Sequence, residues 1–262
     1  MSNRYKRIAV KIGSNVLTRA DGTLDITRMS AIVDQVADLH HRGVGVIIIS
    51  SGAVASGRSL LSENKKLDAV SARQLYSAVG QAKLINRYYE LFREHGIACG
   101  QVLTTKENFS TRRHYLNQKH CMEVMLANDV IPIVNENDSV EVEEIKIGEN
   151  DTLSALVATF IGADKLIMLT DVDAFYDGSP DDEASRPIPV IEVIDDRIRQ
   201  LAGGAGSDKG TGGMFTKVSA AEIATSAGID VHIVFGKKPD LIYDVLDGKR
   251  AGTVFKKKKQ EN

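Results

Sequence analysis

Short runs of β-branched residues alternate with amphipathic helical stretches along this chain, and the alternation constrains its fold most strongly. Ile8 to Ile12, interrupted by Lys11, and Val44 to Ile49 are apolar runs of strand length. Between them, Arg28 to His41 has helical periodicity, with one apolar stripe formed by Met29, Ile32, Val33, Val36 and Leu39. Because apolar parallel strands are usually covered on both faces, the pattern predicts an α/β fold. We expect a three-layer α/β/α sandwich around a mainly parallel central sheet.

The same rhythm continues toward the end of the chain. Further strands are predicted at Ile97 to Leu103, Val130 to Val134, Leu166 to Leu169 and Val231 to Val234. Further helices are predicted at about Ala72 to His95, Arg113 to Asn128, Thr152 to Ile161 and Met214 to Ala227. Ser139 to Lys146 alternates with period two, typical of a short exposed hairpin, and Asp177 to Pro189 is expected to be a surface loop. Since no repeat or linker divides the chain, a single domain over residues 1–262 is expected.

Composition excludes several classes of protein. The 262 residues are 43% hydrophobic and 26% charged, which is ordinary for a globular protein. With 33 Lys and Arg against 35 Asp and Glu, the formal charge of −2 gives no reason to expect a nucleic-acid or membrane partner. Cys99, in an expected buried strand, and Cys121, on a helix face, fit reduced thiols of a cytoplasmic protein rather than disulfides. No signal peptide or transmembrane span is predicted.

Two glycine-bearing turns directly follow the first two predicted strands. Gly13 and Ser14 come after Lys11, and Ser51 and Gly52 come after the second strand. Either turn alone is explained equally well by simple strand termination. Backbone N–H groups at such turns can also form an anion site at the carboxyl edge of the sheet. A lysine at position 11 in an apolar strand needs an anionic partner, and a transferring phosphoryl group is one.

A third glycine-rich run, from Gly203 to Met214, leads into a predicted helix whose first turn carries Lys217. A flexible loop over nucleotide phosphates and a disordered surface loop both explain it. The run contains neither a Walker A motif nor the Rossmann fingerprint, which argues against an ordinary P-loop enzyme.

Two polar clusters lie after a predicted strand and at the entrance to a predicted helix. Asn135 to Asp138 could form a plain turn, and Asp151, taken alone, is best explained as the N-cap of a helix that begins at Thr152. Together with Asn150, these side chains could instead accept hydrogen bonds from the ammonium of an amino acid and orient the lysines. Thr170 and Asp171 extend the same edge.

These motifs resemble those of the glutamate 5-kinases in the amino acid kinase family. The similar segments are Val-Lys-Ile-Gly-Ser, Ser-Ser-Gly-Ala-Val-Ala-Ser-Gly, Val-Asn-Glu-Asn-Asp, Glu-Ile-Lys-Ile-Gly-Glu-Asn-Asp-Thr-Leu-Ser-Ala, Leu-Thr-Asp and Gly-Thr-Gly-Gly-Met-Phe-Thr-Lys. The resemblance extends from about Arg7 to Phe255 and therefore covers almost the whole chain.

The resemblance implies a role for each matching position. Catalytic roles fall to Lys11, Lys217, Asp151 and Asp171. Glutamate-binding roles fall to Ser51, Gly52, Asn135, Asp138 and Asn150. ATP-binding roles fall to Lys11, Gly13, Ser14, Thr170, Asp171, Thr211, Gly212, Gly213, Met214, Phe215, Thr216 and Lys217. No protein metal ligand is implied, because Mg²⁺ would be held mainly by the ATP phosphates.

The implied reaction is ATP- and Mg²⁺-dependent phosphorylation of the L-glutamate γ-carboxylate, the first step of proline biosynthesis. The glutamate part would lie mainly in the first half of the chain and the ATP part at about residues 165–255. The resemblance also implies feedback inhibition by proline and a homodimer or homotetramer. We expect no C-terminal RNA-binding-like (PUA) domain, which many bacterial relatives carry.

Two departures and two competing interpretations accompany the resemblance. Asn15 replaces a small hydroxyl residue that is common in the family, and Glu149 replaces an aspartate. One alternative is a kinase of the same fold that acts on acetylglutamate, aspartate or a nucleotide. The other is a non-catalytic sensor, which would not need both Lys11 and Lys217.

Overall fold

The computed structural model describes residues 5–61, 67–140, 149–180, 182–203, 213–249 and 251–258. In chain order its strands are β1 (Arg7–Ile12), β2 (Gly45–Ser50), β3 (Ala98–Thr104), β4 (Val130–Glu136), β5 (Lys165–Thr170), β6 (Phe175–Tyr176), β7 (Pro187–Ile188), β8 (Val190–Ile191), β9 (Asp230–Phe235) and β10 (Thr253–Phe255). Its helices are α1 (Ser14–Leu17), α2 (Ile26–His41), α3 (Ala53–Arg58), α4 (Ala69–Glu94), α5 (Glu107–Ser110), α6 (Arg112–Ala127), α7 (Glu149–Ile161), α8 (Asp196–Gly203), α9 (Met214–Ser226) and α10 (Leu241–Leu246).

The chain forms two compact units, and the first contains the described residues from 12 to 140. Its strands are ordered β3-β4-β2, and β4 pairs in parallel with both neighbours. Ile133 at the centre of β4 is paired with Gln101 on one side and with Ile48 on the other, and it is completely buried. The carboxyl ends of the three strands therefore share one edge of the sheet.

The second unit contains residues 5–11 and the described residues from 149 onward. Its strands are ordered β1-β5-β9-β10-β8. Strands β5 and β9 pair in parallel from Lys165 opposite Asp230 to Thr170 opposite Phe235. The β8–β10 pair is also parallel, whereas β10 runs antiparallel to β9. The carboxyl ends of β5 and β9 consequently lie side by side.

Burial explains why these segments are strands. All six residues of β5 are buried, as are the last five of β1 and of β2. Because successive strand residues point to opposite faces, strands buried along their length must be covered on both faces, as in a three-layer arrangement. The predicted α/β class with a mainly parallel sheet is confirmed, and each predicted major element is present.

Helix boundaries follow the capping residues. The carboxylate of Asp25 accepts a hydrogen bond from the backbone N–H of Arg28 at the start of α2. Asp68 likewise accepts one from the N–H of Ser71, so α4 begins three residues earlier than predicted. Within the part of the chain that the structure describes, no helix combines the length and hydrophobicity needed to cross a membrane.

The predicted surface loop from Asp177 to Pro189 is only partly a loop. Its end contains β7, which pairs antiparallel with β6 in a two-stranded sheet. The buried hydroxyl of Thr253 explains this ordering, because it accepts a hydrogen bond from the N–H of Phe175 and donates one to the carbonyl of Ile188. A two-residue strand held by a distant side chain leaves no periodic signal in the sequence.

Two other expectations need comment. Most of the hairpin predicted at Ser139 to Lys146 lies outside the described residues. Cys99 is only partly buried, because β3 is the last strand in its sheet order. Burial still raises the pKa of the Cys99 thiol to about 11, and both cysteines are free thiols.

Candidate active site

A buried lysine and a buried aspartate meet in the second unit. Lys11 lies in β1 and is 7% exposed, and Asp151 lies in the first turn of α7 and is 5% exposed. The Nζ of Lys11 is 2.6 Å from Oδ1 of Asp151. The anionic partner that Lys11 requires is therefore supplied by the protein itself, and its ammonium is held in a fixed place.

The first turn of α9 completes this cluster. The hydroxyl of Thr216 donates to Oδ2 of Asp151 at 2.7 Å, and the Nζ of Lys217 lies 3.4 Å from the same oxygen. Gly213, directly before α9, has φ of 121°, a conformation that favours glycine, and its carbonyl accepts from Thr216 and Lys217. Helix α9 packs against α7, so Lys217 is directed to the carboxylate by the fold.

The charges of this Lys11–Asp151–Lys217 cluster are unbalanced. Burial opposes ionisation of Asp151, but the ammonium groups of Lys11 and Lys217 and two hydrogen bonds outweigh it, so the pKa of Asp151 lies below the ordinary value of a carboxyl. One carboxylate between two ammonium groups leaves one positive charge. A desolvated site of this kind attracts an anion and strengthens every electrostatic interaction with it.

A pocket of about 500 Å³ lies in the same unit, beyond the carboxyl ends of β5 and β9. Asp171 and Met214, two of the residues to which the resemblance gives ATP-binding roles, contribute to its walls. The hydroxyl of Thr170 accepts a hydrogen bond from the N–H of Val172 and so shapes the turn after β5. Sequence reasoning missed most of the apolar wall, formed by Val172, Ala174, Phe175, Tyr176, Pro180, Leu201 and Phe235. Only their position after strand ends could have indicated them.

The first unit holds Ser51, Gly52, Asn135 and Asp138 of the predicted glutamate-binding residues, around the ends of its strands. Ser51 is buried, and Gly52 caps α3 with φ of 96°, which favours glycine. Helices α3 and α4 cross closely at Gly57 and Gly80, where a Cβ on Gly80 would lie 1.8 Å from the carbonyl oxygen of Ala53. The turn after β2 is thus fixed by direct backbone packing.

A chain of amides lies beside this turn. Asn135 donates from Nδ2 to Oε1 of Gln81 at 2.8 Å, and Gln81 donates from Nε2 to Oε1 of Gln101 at 2.9 Å. The Oδ1 of Asn135 accepts from the N–H of Glu136 at 2.9 Å. These hydrogen bonds fix which end of the Asn135 and Gln81 side-chain amides donates and which end accepts. Sequence reasoning missed Gln81 and Gln101, because they come from a helix and a strand that carry no motif.

Asp138 is held from α4. Its Oδ1 accepts from Nη2 of Arg73 at 2.6 Å and from Nε at 3.1 Å, while Gln74 donates to the carbonyl of Ser139 at 3.0 Å. Asp138 lines a pocket of about 440 Å³ together with Gln81, Gln101, Glu136 and residues of α4. A pocket with a few polar groups held in fixed positions suits a small polar ligand.

Comparison with known proteins identifies the family. The model of the amino acid kinase family matches residues 6–234. The chain is 59% identical to a glutamate 5-kinase of Bacteroides thetaiotaomicron over 94% of this chain and 68% of the relative. The chain belongs to the amino acid kinase family.

Two further relatives agree with this assignment, and one solved structure shares the fold. Glutamate 5-kinases of Clostridium acetobutylicum and Symbiobacterium thermophilum are 42% and 45% identical, and each match covers 95% of the relative and at least 95% of this chain. The structure of a UMP kinase from Bacillus anthracis has the same fold, with a TM-score of 0.67 over 97% of both chains at 14% identity.

The remaining predicted residues lie at the following positions. Gly13 precedes α1, Ser14 is exposed, and Asn150 is the second residue of α7. Phe215 is 44% exposed on α9. Thr211 and Gly212 lie outside the described residues.

One interpretation of an isolated residue was wrong. Asp151 is not the N-cap of a helix beginning at Thr152, because α7 begins at Glu149 and the Asp151 side chain binds Lys11, Thr216 and Lys217 instead. Among the residues that the structure describes, no group of three or more His, Cys, Asp or Glu side chains is arranged to hold a metal ion.

Proposed function

We propose that this amino acid kinase transfers the γ-phosphoryl group of ATP to the γ-carboxylate of L-glutamate, giving L-glutamyl 5-phosphate and ADP, as the first step of proline biosynthesis. The Lys11–Asp151–Lys217 cluster carries the proposal, because two fixed ammonium groups around one carboxylate suit a transferring phosphoryl group. The names of the relatives that match nearly the whole chain support glutamate as the acceptor.

In this mechanism the lysines work by electrostatics. Lys11 and Lys217 contact the phosphoryl oxygens and stabilise the charge that develops on them during transfer. Asp151 keeps both ammonium groups in place before the substrates bind, so little reorganisation is needed in the transition state. Lys11 and Lys217 are therefore assigned catalytic roles and Asp151 a positioning role.

The nucleotide is assigned to the 500 Å³ pocket of the second unit. Thr170, Asp171 and residues 211–217 are proposed to bind ATP, and the resemblance gives the same role to Gly13 and Ser14. Mg²⁺ enters as part of the substrate, bound to the ATP phosphates. Asp171 lines the pocket and is proposed to orient groups around those phosphates.

Glutamate is assigned to Ser51, Gly52, Asn135, Asp138 and Asn150. The carboxylate of Asp138 suits a free α-ammonium group, which acetylglutamate lacks. No general base is needed, since the attacking γ-carboxylate is already ionised near neutral pH. Its oxygen forms the new bond to the γ-phosphorus as the bond to the β,γ-bridging oxygen breaks and ADP leaves.

The test is ATP- and Mg²⁺-dependent formation of γ-glutamyl hydroxamate, with glutamate, aspartate and acetylglutamate compared as acceptors. The proposal expects product from glutamate at a kcat/KM at least about a hundredfold above the others, because acetylglutamate lacks the ammonium partner of the Asp138 carboxylate and the side chain of aspartate is one methylene shorter. Phosphorylation of another acceptor would overturn the substrate assignment, and inactivity toward all three would favour a sensor.

Three further features are proposed beside the reaction: a single kinase domain, inhibition by proline, and a cytoplasmic homodimer or homotetramer. Light scattering of the purified chain with and without proline, alongside the hydroxamate assay, tests the last two together.

A further inference from the structure

The turn that follows β4 is fastened to helix α4 by two consecutive residues. Arg73 binds the carboxylate of Asp138, and Gln74 binds the backbone carbonyl of Ser139. The turn is also closed internally, since the Ser139 hydroxyl donates to Oδ1 of Asn137 at 2.6 Å. Gln74 and the internal bond already fix the backbone, so the Arg73 contact adds control over the Asp138 side chain.

The geometry of that contact is specific. Both Nε and Nη2 of Arg73 approach Oδ1 of Asp138, and neither contact uses Oδ2. A guanidinium is planar and rigid, so two donors converging on one oxygen fix where that oxygen lies. The side chain of Asp138 is only 12% exposed, whereas that of Arg73 is 32% exposed. Asp138 lines the 440 Å³ pocket, and Arg73 is not among the described residues that line it.

The second unit contains a carboxylate used in a similar way. Asp151 offers Oδ1 to Lys11 and Oδ2 to Lys217, and it stays ionised between two cations. A partly buried carboxylate can therefore hold one cation of the protein on one oxygen and a second cation on the other.

We propose that Arg73 is a positioning residue that holds Oδ1 of Asp138 so that Oδ2 receives the α-ammonium group of the amino-acid substrate. The inference rests on the proposed function, because it takes glutamate to be the acceptor. Arg73 sets the affinity for an acceptor with a free ammonium group and acts only through Asp138. It contributes nothing to nucleotide binding or to the transfer step.

The test compares steady-state kinetics of Arg73→Gln, Arg73→Lys, Asp138→Asn and the double variant Arg73→Gln/Asp138→Asn. We expect Arg73→Gln to raise the KM for glutamate about tenfold, the size of one charge-assisted hydrogen bond. Its kcat and its KM for ATP should stay within about twofold. Arg73→Lys, which keeps the charge but loses the fork, should raise the glutamate KM about threefold.

The double variant decides whether Arg73 acts through Asp138. If it does, the double variant has the same glutamate KM as Asp138→Asn alone, because the second carboxylate oxygen, which Arg73 positions for the ammonium group, is gone. Multiplied effects of the two substitutions would overturn the inference, as would an unchanged KM in Arg73→Gln.

Two variants of α4 serve as controls. Arg87→Gln removes an arginine that pairs with Glu90. Arg87 lies about 21 Å from Arg73 along the helix, so this variant should leave all kinetic constants unchanged. Gln74→Ala loosens the same turn without touching the carboxylate and should raise the glutamate KM less than threefold. An equal rise in Gln74→Ala and Arg73→Gln would make Arg73 a mere tether of the turn and overturn the inference. A wild-type chain inactive on glutamate would instead overturn the proposed function, and the inference with it.

Discussion

The two units build their polar sites from different materials. The second unit brings charged groups together. The Nζ atoms of Lys11 and Lys217 lie 2.6 and 3.4 Å from the carboxylate oxygens of Asp151, and all three side chains are nearly buried. The first unit brings together the neutral amides of Asn135, Gln81 and Gln101. Its ion pair, Arg73 with Asp138, is partly exposed. Fixed, desolvated charges stabilise the charge that develops during a reaction. Fixed amides instead select a ligand by its shape and polarity, at a part of the ligand whose charge stays the same.

The difference also concerns how each site is held in place. Asp151 is positioned by electrostatic attraction to two lysines and a hydroxyl. The turn after β2 is positioned by backbone packing, where Gly57 and Gly80 allow α3 and α4 to touch. Loss of one charge in the second unit should therefore abolish turnover and spare the fold, while added volume in the first unit should damage the fold.

The largest expected effect comes from Lys217→Ala. The substitution removes one of two cations from the transferring group, so kcat should fall about a thousandfold, on the order of 4 kcal/mol in the barrier. The KM for glutamate should change less than threefold, because the proposed acceptor contacts lie elsewhere. The measurement is the hydroxamate assay with varied glutamate at saturating ATP.

A matched control is Lys256→Ala, in the same unit. Lys256 pairs with Asp230 at the amino end of β9 and is 41% exposed, so its loss should leave kcat unchanged. Near-normal turnover in Lys217→Ala would refute the phosphate-contacting role and remove the contrast between the units.

The next effect concerns packing in the first unit. Gly80→Ala forces a methyl group to 1.8 Å from the Ala53 carbonyl and 2.5 Å from the Gly57 nitrogen, so the free energy of unfolding should fall by about 3 kcal/mol. Urea denaturation followed by circular dichroism measures it.

Gly203→Ala in the second unit is the counterpart, since among the described residues the added methyl would meet only the Phe215 ring, at 3.9 Å. Its stability should equal or slightly exceed that of the wild type, because alanine favours helix over glycine. Equal stability of both variants would mean that α3 and α4 are free to move apart.

A smaller effect tests whether the buried Lys165 of the second unit contributes to the active site, as Lys11 is proposed to do. Lys165 is as buried as Lys11, but it lies 3.0 Å from Nε2 of His232 at the amino ends of β5 and β9. Burial, with help from the Lys165 ammonium, lowers the pKa of His232 to about 3. Below about pH 6.5 the unfolded chain takes up a proton there and the folded chain does not, so stability falls as pH falls.

His232→Gln should remove this part of the pH dependence. We expect the wild type to lose about 2 kcal/mol more than the variant between pH 7 and pH 5 in urea denaturation. The kcat of His232→Gln at pH 7 should stay within about twofold of the wild type. A parallel pH dependence in both proteins would show that His232 is not held neutral, and a large loss of kcat would extend the active site to this end of the strands.

Much of the fold could be predicted because its signals are local. Val44 to Ile49 and Leu166 to Leu169 are apolar runs that can be stable only inside a covered sheet, and the helix with Met29 and Leu39 repeats its stripe over four turns. Boundaries shifted where a single cap such as Asp68 decides the first turn. Elements as short as β7 and β10 escaped prediction, because two or three residues carry no periodic signal and their pairing depends on strands distant in the sequence.

The sequence by itself determined the α/β class and the turns that end the strands, since backbone geometry and hydrophobic burial act over a few residues. It also indicated that Lys11 needs a negative partner. Only the tertiary structure decided that this partner is Asp151, and that Arg73, Gln81 and Gln101 belong beside the predicted residues. These pairings join residues 20 to 140 positions apart, and such contacts depend on how strands and helices pack rather than on any local pattern.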